Sequence, residues 1–273
     1  MKKLLIPAAV LTFLTLSVSL TFAEKTEIEK QLRTSRPYID SQDGRVYADA
    51  SAEYSPVRIA GRDLHWEEYS TRLMKRVGRH LPYTEFRLYE RDRRRDESIT
   101  AGSYFIFDNR NIQPEIGFGI DTDYMYRFQT GIRYEERIKG SLYAKLGETY
   151  FHYESGDVLS NSLGMIYYRG NHSLSADYLL SITESRRDAH SAIVRGNFAL
   201  PFNFDLRLGI AAGERLFDVD KLDASKQGGW LFFTGIDYRL TDRIKIGFDY
   251  SYGEENQPKF LKQGFNGHVS VRF

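Results

Sequence analysis

The stretch Gly264-Phe265-Asn266-Gly267-His268-Val269-Ser270-Val271-Arg272-Phe273 alternates in polarity at every residue from Phe265 onward. In an extended chain Phe265, Gly267, Val269, Val271 and Phe273 fall on one face, and Asn266, His268, Ser270 and Arg272 on the other. One face suits lipid and the other suits water. The segment before it repeats the arrangement, with Ile244, Ile246, Phe248, Tyr250 and Tyr252 opposite Lys245, Gly247, Asp249 and Ser251. Further upstream Phe204, Leu206, Leu208, Ile210 and Ala212 alternate with Asp205, Arg207, Gly209 and Ala211. Leu174, Ala176, Tyr178, Leu180 and Ile182 alternate with Ser173, Ser175, Asp177 and Ser181, and Leu179 is the apolar exception. Helical periodicity would put these charges on the apolar stripe.

Working outward, the same rhythm predicts strands near 45–56, 66–77, 82–92, 97–108, 111–121, 124–136, 139–152, 158–169, 172–183, 189–200, 203–214, 228–240, 243–253 and 263–273. The expected fold is an all-β transmembrane antiparallel barrel of about 14 strands, an even number in the bacterial outer-membrane range. A periplasmic N-terminus predicts short turns around 78–81, 109–110, 137–138, 170–171, 201–202 and 241–242, and longer external loops at 57–65, 93–96, 153–157, 184–188, 215–227 and 254–262. Only Thr122 and Asp123 separate the fifth and sixth segments, which predicts a tight external hairpin. Merging those two, with one further merger, gives a twelve-stranded alternative.

The ends and the composition agree with export to a membrane. Lys2 and Lys3, the uncharged run Leu4 to Leu20 and Thr21-Phe22-Ala23 before Glu24 form a signal-peptide pattern with cleavage between Ala23 and Glu24. A retained helix would need about 20 apolar residues, and Pro7 with the Ser and Thr content weakens that reading. Residues 1–23 are therefore read as signal peptide, 24–44 as a short periplasmic segment and 45–273 as the barrel. Aromatics make up 14% of the chain, and Tyr150, Phe151, Tyr167, Tyr168, Trp230, Tyr250 and Tyr252 sit where strands are expected to cross the membrane interfaces. A formal net charge of +1 provides no basic field for nucleic acid, and the absence of Cys excludes disulfides, thiolate metal sites and Cys nucleophiles. No cofactor signature is present.

Arg93-Arg94-Arg95-Asp96-Glu97 leads into a strand with Tyr104, Phe105 and Phe107, Thr130-Gly131-Ile132-Arg133-Tyr134 follows, and Phe265-Asn266-Gly267 opens the final strand. Through these motifs, in this order, the chain from Trp66 to Phe273 resembles the YaiO family of outer-membrane β-barrel proteins. The resemblance implies an outer-membrane barrel linked with envelope or exopolysaccharide systems, embedded among outer-membrane lipids and lipopolysaccharide. The helical repeat domain of the large polysaccharide-secretion barrels is missing from the pattern. By analogy with bacterial outer-membrane barrels, the terminal Phe273 is expected to be read by the barrel-assembly machinery after passage through the secretion machinery.

Taking the apolar face as outward, Arg87, Arg133, Lys145, Arg195, Arg207, Arg239, Lys245 and Arg272 face inward against Glu85, Glu115, Asp177, Asp205, Asp237 and Asp249. The candidate lumen-lining set is Arg87, Glu115, Arg133, Lys145, Arg207, Asp237, Arg239, Lys245 and Asp249. Such a lumen serves either as a porin-like conduit for an anionic solute, polysaccharide or export partner, or as an ion-paired interior without transport. Inward Gly117, Gly119, Gly131, Gly147, Gly209, Gly235 and Gly247 leave room for a passage or permit strand coiling. The run Arg91 to Arg95 suits lipopolysaccharide phosphates or a solvated loop tip. Asp218, Asp220 and Asp223 form a loose oxygen cluster without the EF-hand glycine. A hydrolase would have to be built from His152 with Glu154 and Ser155, or His190 with Asp188 and Ser191, and strand alternation separates His190 from Ser191. Enzymatic chemistry is therefore not expected.

Overall fold

The computed structural model describes residues 44–91, 94–184, 188–214, 228–255 and 260–273. The readings of 1–23 and of nearly all of 24–44, and of Asp218, Asp220 and Asp223, lie outside them. Fourteen strands form: β1 (Val46–Ile59), β2 (Arg62–Lys75), β3 (His80–Arg91), β4 (Arg94–Ile106), β5 (Arg110–Ile120), β6 (Phe128–Lys139), β7 (Leu142–Tyr153), β8 (Gly156–Arg169), β9 (His172–Thr183), β10 (Asp188–Ala199), β11 (Phe204–Glu214), β12 (Gly228–Arg239), β13 (Ile244–Glu255) and β14 (Phe260–Arg272). Each pairs antiparallel with its sequence neighbour, and β1 pairs with β14, so the sheet closes into a barrel. The twelve-stranded alternative is excluded.

Closure satisfies the ladder that a bilayer could not. The β1–β14 seam runs from Tyr47↔Arg272 to Ile59↔Phe260 and lapses only at Ser55 and Pro56, where proline has no N–H to donate. At the end of the seam the Phe273 N–H donates to the Val46 carbonyl at 2.9 Å.

Side chains segregate in the reverse of a water-soluble protein. Leu73, Leu163, Met165, Leu174, Ile210 and Phe248 are exposed on the outer face, while Glu85, Arg207, Asp237 and Asp249 are buried on the inner one. An outer belt of that kind is the surface that hydrocarbon solvates. Glu148 departs from the pattern: strand alternation with the exposed Leu146 puts it on the outer face of β7, yet its carboxylate is buried, and among the described residues neither oxygen has a hydrogen-bond partner.

The two ends differ. One carries both termini of the barrel and the links 76–79, 107–109, 140–141, 170–171, 200–203 and 240–243; the other carries 60–61, 92–93, 121–127, 154–155, 184–187, 215–227 and 256–259. The longest links mark the second end as the outer mouth. The loop expected at 57–65 is instead a hairpin that turns in two residues, Ala60 (φ 48°) and Gly61 (φ 83°). Positive φ at both central residues matches the twist of the flanking strands, and glycine adopts it without cost. The loop expected at 153–157 likewise shortens to Glu154-Ser155. Conversely, the hairpin expected at Thr122-Asp123 is the longer link 121–127, and β6 starts at Phe128 rather than 124.

Candidate functional site

The nine candidate lumen residues all lie on inward-facing strand positions, and the register groups most of them into three clusters. On β11–β14, Arg207 Nη2 lies 2.7 Å from Asp237 Oδ1 and 2.6 Å from Asp249 Oδ1. Lys245 donates to Asp237 at 2.8 Å, Asn266 to Asp249 at 3.0 Å, and His268 Nε2 meets Asp237 at 2.7 Å. On β2–β6, Arg72 and Arg87 both donate to Glu85 at 2.7 and 3.0 Å, and Glu115 accepts from Tyr83 at 2.7 Å and from Arg133 at 3.1 Å. On β7–β10, Lys145 donates to Asp177 at 2.6 Å with Arg195 at 3.7 Å. Arg239 stands beside Lys245 on the inner face, half-buried.

Glycine builds these clusters in a way alternation alone did not reveal. Gly235 lies between Arg207 and Asp249, Gly247 between Asp237 and His268, Gly164 between Lys145 and Asp177, and Gly102 between Tyr83 and Glu115. In each row the outer two side chains meet across the empty middle position. A Cβ on Gly235 would sit 1.9 Å from an Asp249 oxygen, and one on Gly247 2.1 Å from the His268 ring and 2.2 Å from Asp237. Of the glycines read as passage or coiling sites, Gly235 and Gly247 are therefore filled by their neighbours' charges, and Gly209 by the Phe233 ring at 1.8 Å. The signal is a glycine flanked on its two neighbouring strands by a charge and a polar partner, legible only once the register is known.

Three of the ion pairs share an asymmetry. The Arg133, Lys145 and Lys245 side chains keep 20%, 22% and 27% of their surface open, whereas their partners Glu115, Asp177 and Asp237 keep 7%, 7% and 3%. The carboxylates are held in the wall and the cations lean into the lumen. Lys145 and Lys245 lie near the inner mouth, and Arg133 on β6 stands half the ring away from Lys245 on β13.

The outer mouth is different. There Tyr89, Met125, Tyr126, Phe151, Tyr153 and Val158 form an apolar cluster inside the barrel, with Tyr124 packed against it. Met125 and Tyr126 come from link 121–127, a stretch the sequence presents as strand because its residues are aromatic and apolar. The missing alternation in Tyr124-Met125-Tyr126 was the available sign. Burial holds the Tyr124 hydroxyl far above the usual phenol range, against the opposing pull of Arg91, and raises that of Tyr126. Arg91 lies 4.5 Å from the rings of both Trp66 and Tyr124, a cation–π stack that ties it to the mouth. Arg95 pairs with Glu97 at 2.7 Å, and Arg94 approaches Asp123 at 3.9 Å.

The histidine candidates do not assemble a nucleophile. His152 meets Asp157 at 2.8 Å and His190 meets the Tyr178 hydroxyl at 2.5 Å, both on the exposed face, while Ser191 is buried on the opposite face and donates to the Glu214 carbonyl. Among the described residues no group of His, Asp and Glu is arranged to hold a metal ion.

No family model and no curated protein matches this sequence. Solved structures do share the architecture. A bacterial polysaccharide outer membrane secretin aligns with TM-score 0.57 and 8% identity over 83% of this chain and 98% of its own. The CymD monoaromatic hydrocarbon channel gives 0.56 and 8% over 85% and 89%, and the outer membrane protein Omp33 of Acinetobacter baumannii 0.53 and 11% over 86% and 100%. Identities this low speak for the fold alone. The closed ring, its apolar outer belt and this shared architecture make the chain a fourteen-stranded β-barrel of the bacterial outer-membrane type.

Proposed function

We propose that the barrel is a conduit favouring anionic solutes. The observation that carries this reading is the asymmetry of the three ion pairs, with cationic heads open to the lumen and carboxylates withdrawn into the wall. Low-dielectric walls focus the field of such heads, and rings of one sign tune selectivity. The cargo class that fits is an acidic exopolysaccharide, in line with the YaiO resemblance and with the polysaccharide secretin that shares the fold. Phe273, exposed at the end of β14, is available to assembly machinery.

A second reading, a closed barrel acting through partners, is favoured by the near-complete burial of Arg72, Glu85, Arg207 and Asp249. Planar-bilayer recordings of refolded residues 24–273 under a salt gradient separate the two. A conduit gives steps with an anion-selective reversal potential, and Arg133→Glu, Lys145→Glu and Lys245→Glu each move it towards cations. Unchanged selectivity in all three overturns the anion reading. A folded, heat-modifiable but silent barrel supports the closed one.

A further inference from the structure

We infer that segment 121–127 is the element that sets the aperture of the conduit and that Asp96 is its latch. The inference rests on the conduit reading above. Link 121–127 has no gap to bridge, because Phe118 on β5 already pairs with Phe128 on β6. The surplus chain is folded into the barrel mouth, where Met125 and Tyr126 pack against β3, β7 and β8 through Tyr89, Phe151, Tyr153 and Val158. No other link among the described residues contributes side chains to an interior cluster of this kind.

Backbone in that position needs partners, and one carboxylate supplies three. Asp96, on the inner face of β4 and fully buried, accepts the N–H groups of Asp123 at 2.9 Å, Tyr124 at 3.0 Å and Met125 at 2.7 Å. Charge-assisted bonds of this type are about twice as strong as neutral ones, and without the carboxylate three donors lose their partner, that of Met125 fully buried and those of Asp123 and Tyr124 nearer the water. The far side of the segment is held by the Gly119 N–H donating to the Arg127 carbonyl at 3.1 Å and the Arg127 N–H to the His152 carbonyl at 2.8 Å. Contact there is close: a Cβ on Gly119 would lie 2.1 Å from the Tyr126 carbonyl oxygen. The segment is thus pinned by the backbone at Arg127 and latched by one side chain, Asp96, at residues 123–125.

Two variants test this, and the chain's lack of cysteine supplies a clean reporter. Met125→Cys places one thiol inside the mouth. In vesicles a membrane-impermeant maleimide should label it slowly in the otherwise native barrel and several-fold faster when Asp96→Ala is added. In bilayers, Asp96→Ala, and separately replacement of 122–127 by an Asn-Gly turn, should raise single-channel conductance several-fold while the reversal potential stays anion-selective. The turn replacement does not depend on Asp96, so it decides the matter should Asp96→Ala fail to fold by heat-modifiable mobility. A conducting wild type whose conductance is unaltered by the turn replacement, or labelling unaltered by Asp96→Ala in a folded barrel, overturns the latch and leaves the conduit standing. Silence of the wild type and of every folded variant overturns the conduit and the aperture role with it.

Discussion

At the outer mouth Tyr89, Met125, Tyr126, Phe151 and Tyr153 fill the inside of the barrel with rings and backbone, whereas towards the inner mouth Lys145 and Lys245 stand half-open over buried aspartates. The strands that reach both mouths are the same. What differs is where the filling comes from, because rings line the inner mouth as well, at Tyr83 and Tyr104 beside Met74 and Leu81. At the outer mouth the filling comes from a link folded inward, so its polar cost falls on backbone groups and is met by Asp96. Near the inner mouth the filling comes from strand side chains alone, rings such as Tyr83 and Tyr104 on one side and ion pairs on the other, and the charges among them are met by partners reached across glycine. One end is narrowed by a link folded inward, and the other is lined by the strands themselves.

The largest expected effect breaks the inner arrangement. Gly247→Ala puts a methyl group where the His268 ring and the Asp237 carboxylate meet, and should cost about 3–5 kcal/mol, the range for a broken buried pair. The outward Gly267, on the neighbouring strand with nothing within 4 Å of an added Cβ, is the control, and its alanine variant should unfold at the native urea midpoint. Equal midpoints for the two would remove glycine's role in the clusters.

Next comes the outer mouth. Tyr126→Ala removes a buried ring from the cluster and should cost roughly 3 kcal/mol, while leaving ion selectivity where it was. A change of selectivity in that variant would mean that the outer aromatics, and not the inner cations, choose the solute.

The smallest effect on stability belongs to Lys245→Met. Asp237 keeps Arg207 and His268, both at 2.7 Å, so the loss should stay under about 1 kcal/mol. Selectivity should nevertheless weaken measurably, because the open cation is gone while its wall partners stay paired. A large destabilisation with intact selectivity would make Lys245 a structural strut.

Strands and strand number were legible because β13 and β14 meet lipid on one side and charge on the other, which forces a period of two. The hairpin at Ala60-Gly61 was not, since Arg58, Asp63 and His65 are exposed and polar on the outer face and read like a loop. Segment 121–127 failed for the opposite reason: burial inside a mouth rewards the same Tyr and Met that burial in a sheet rewards. Inward charges such as Asp249 and Lys145 could be named from alternation, but their partners could not. Lys145 meets Asp177 two strands away, across a glycine whose place depends on two registers.

The β1–β14 seam gives the molecule a property that its linear order hides. In hydrogen bonding the sheet is a ring, and a ring has no terminal strand to sacrifice. Opening any one of its joints frees two edges at once, in a solvent that offers neither of them a partner. Strand loss is therefore grave anywhere in the ring, and the barrel is whole only with the joint between its two chain ends, Phe273 against Val46, in place.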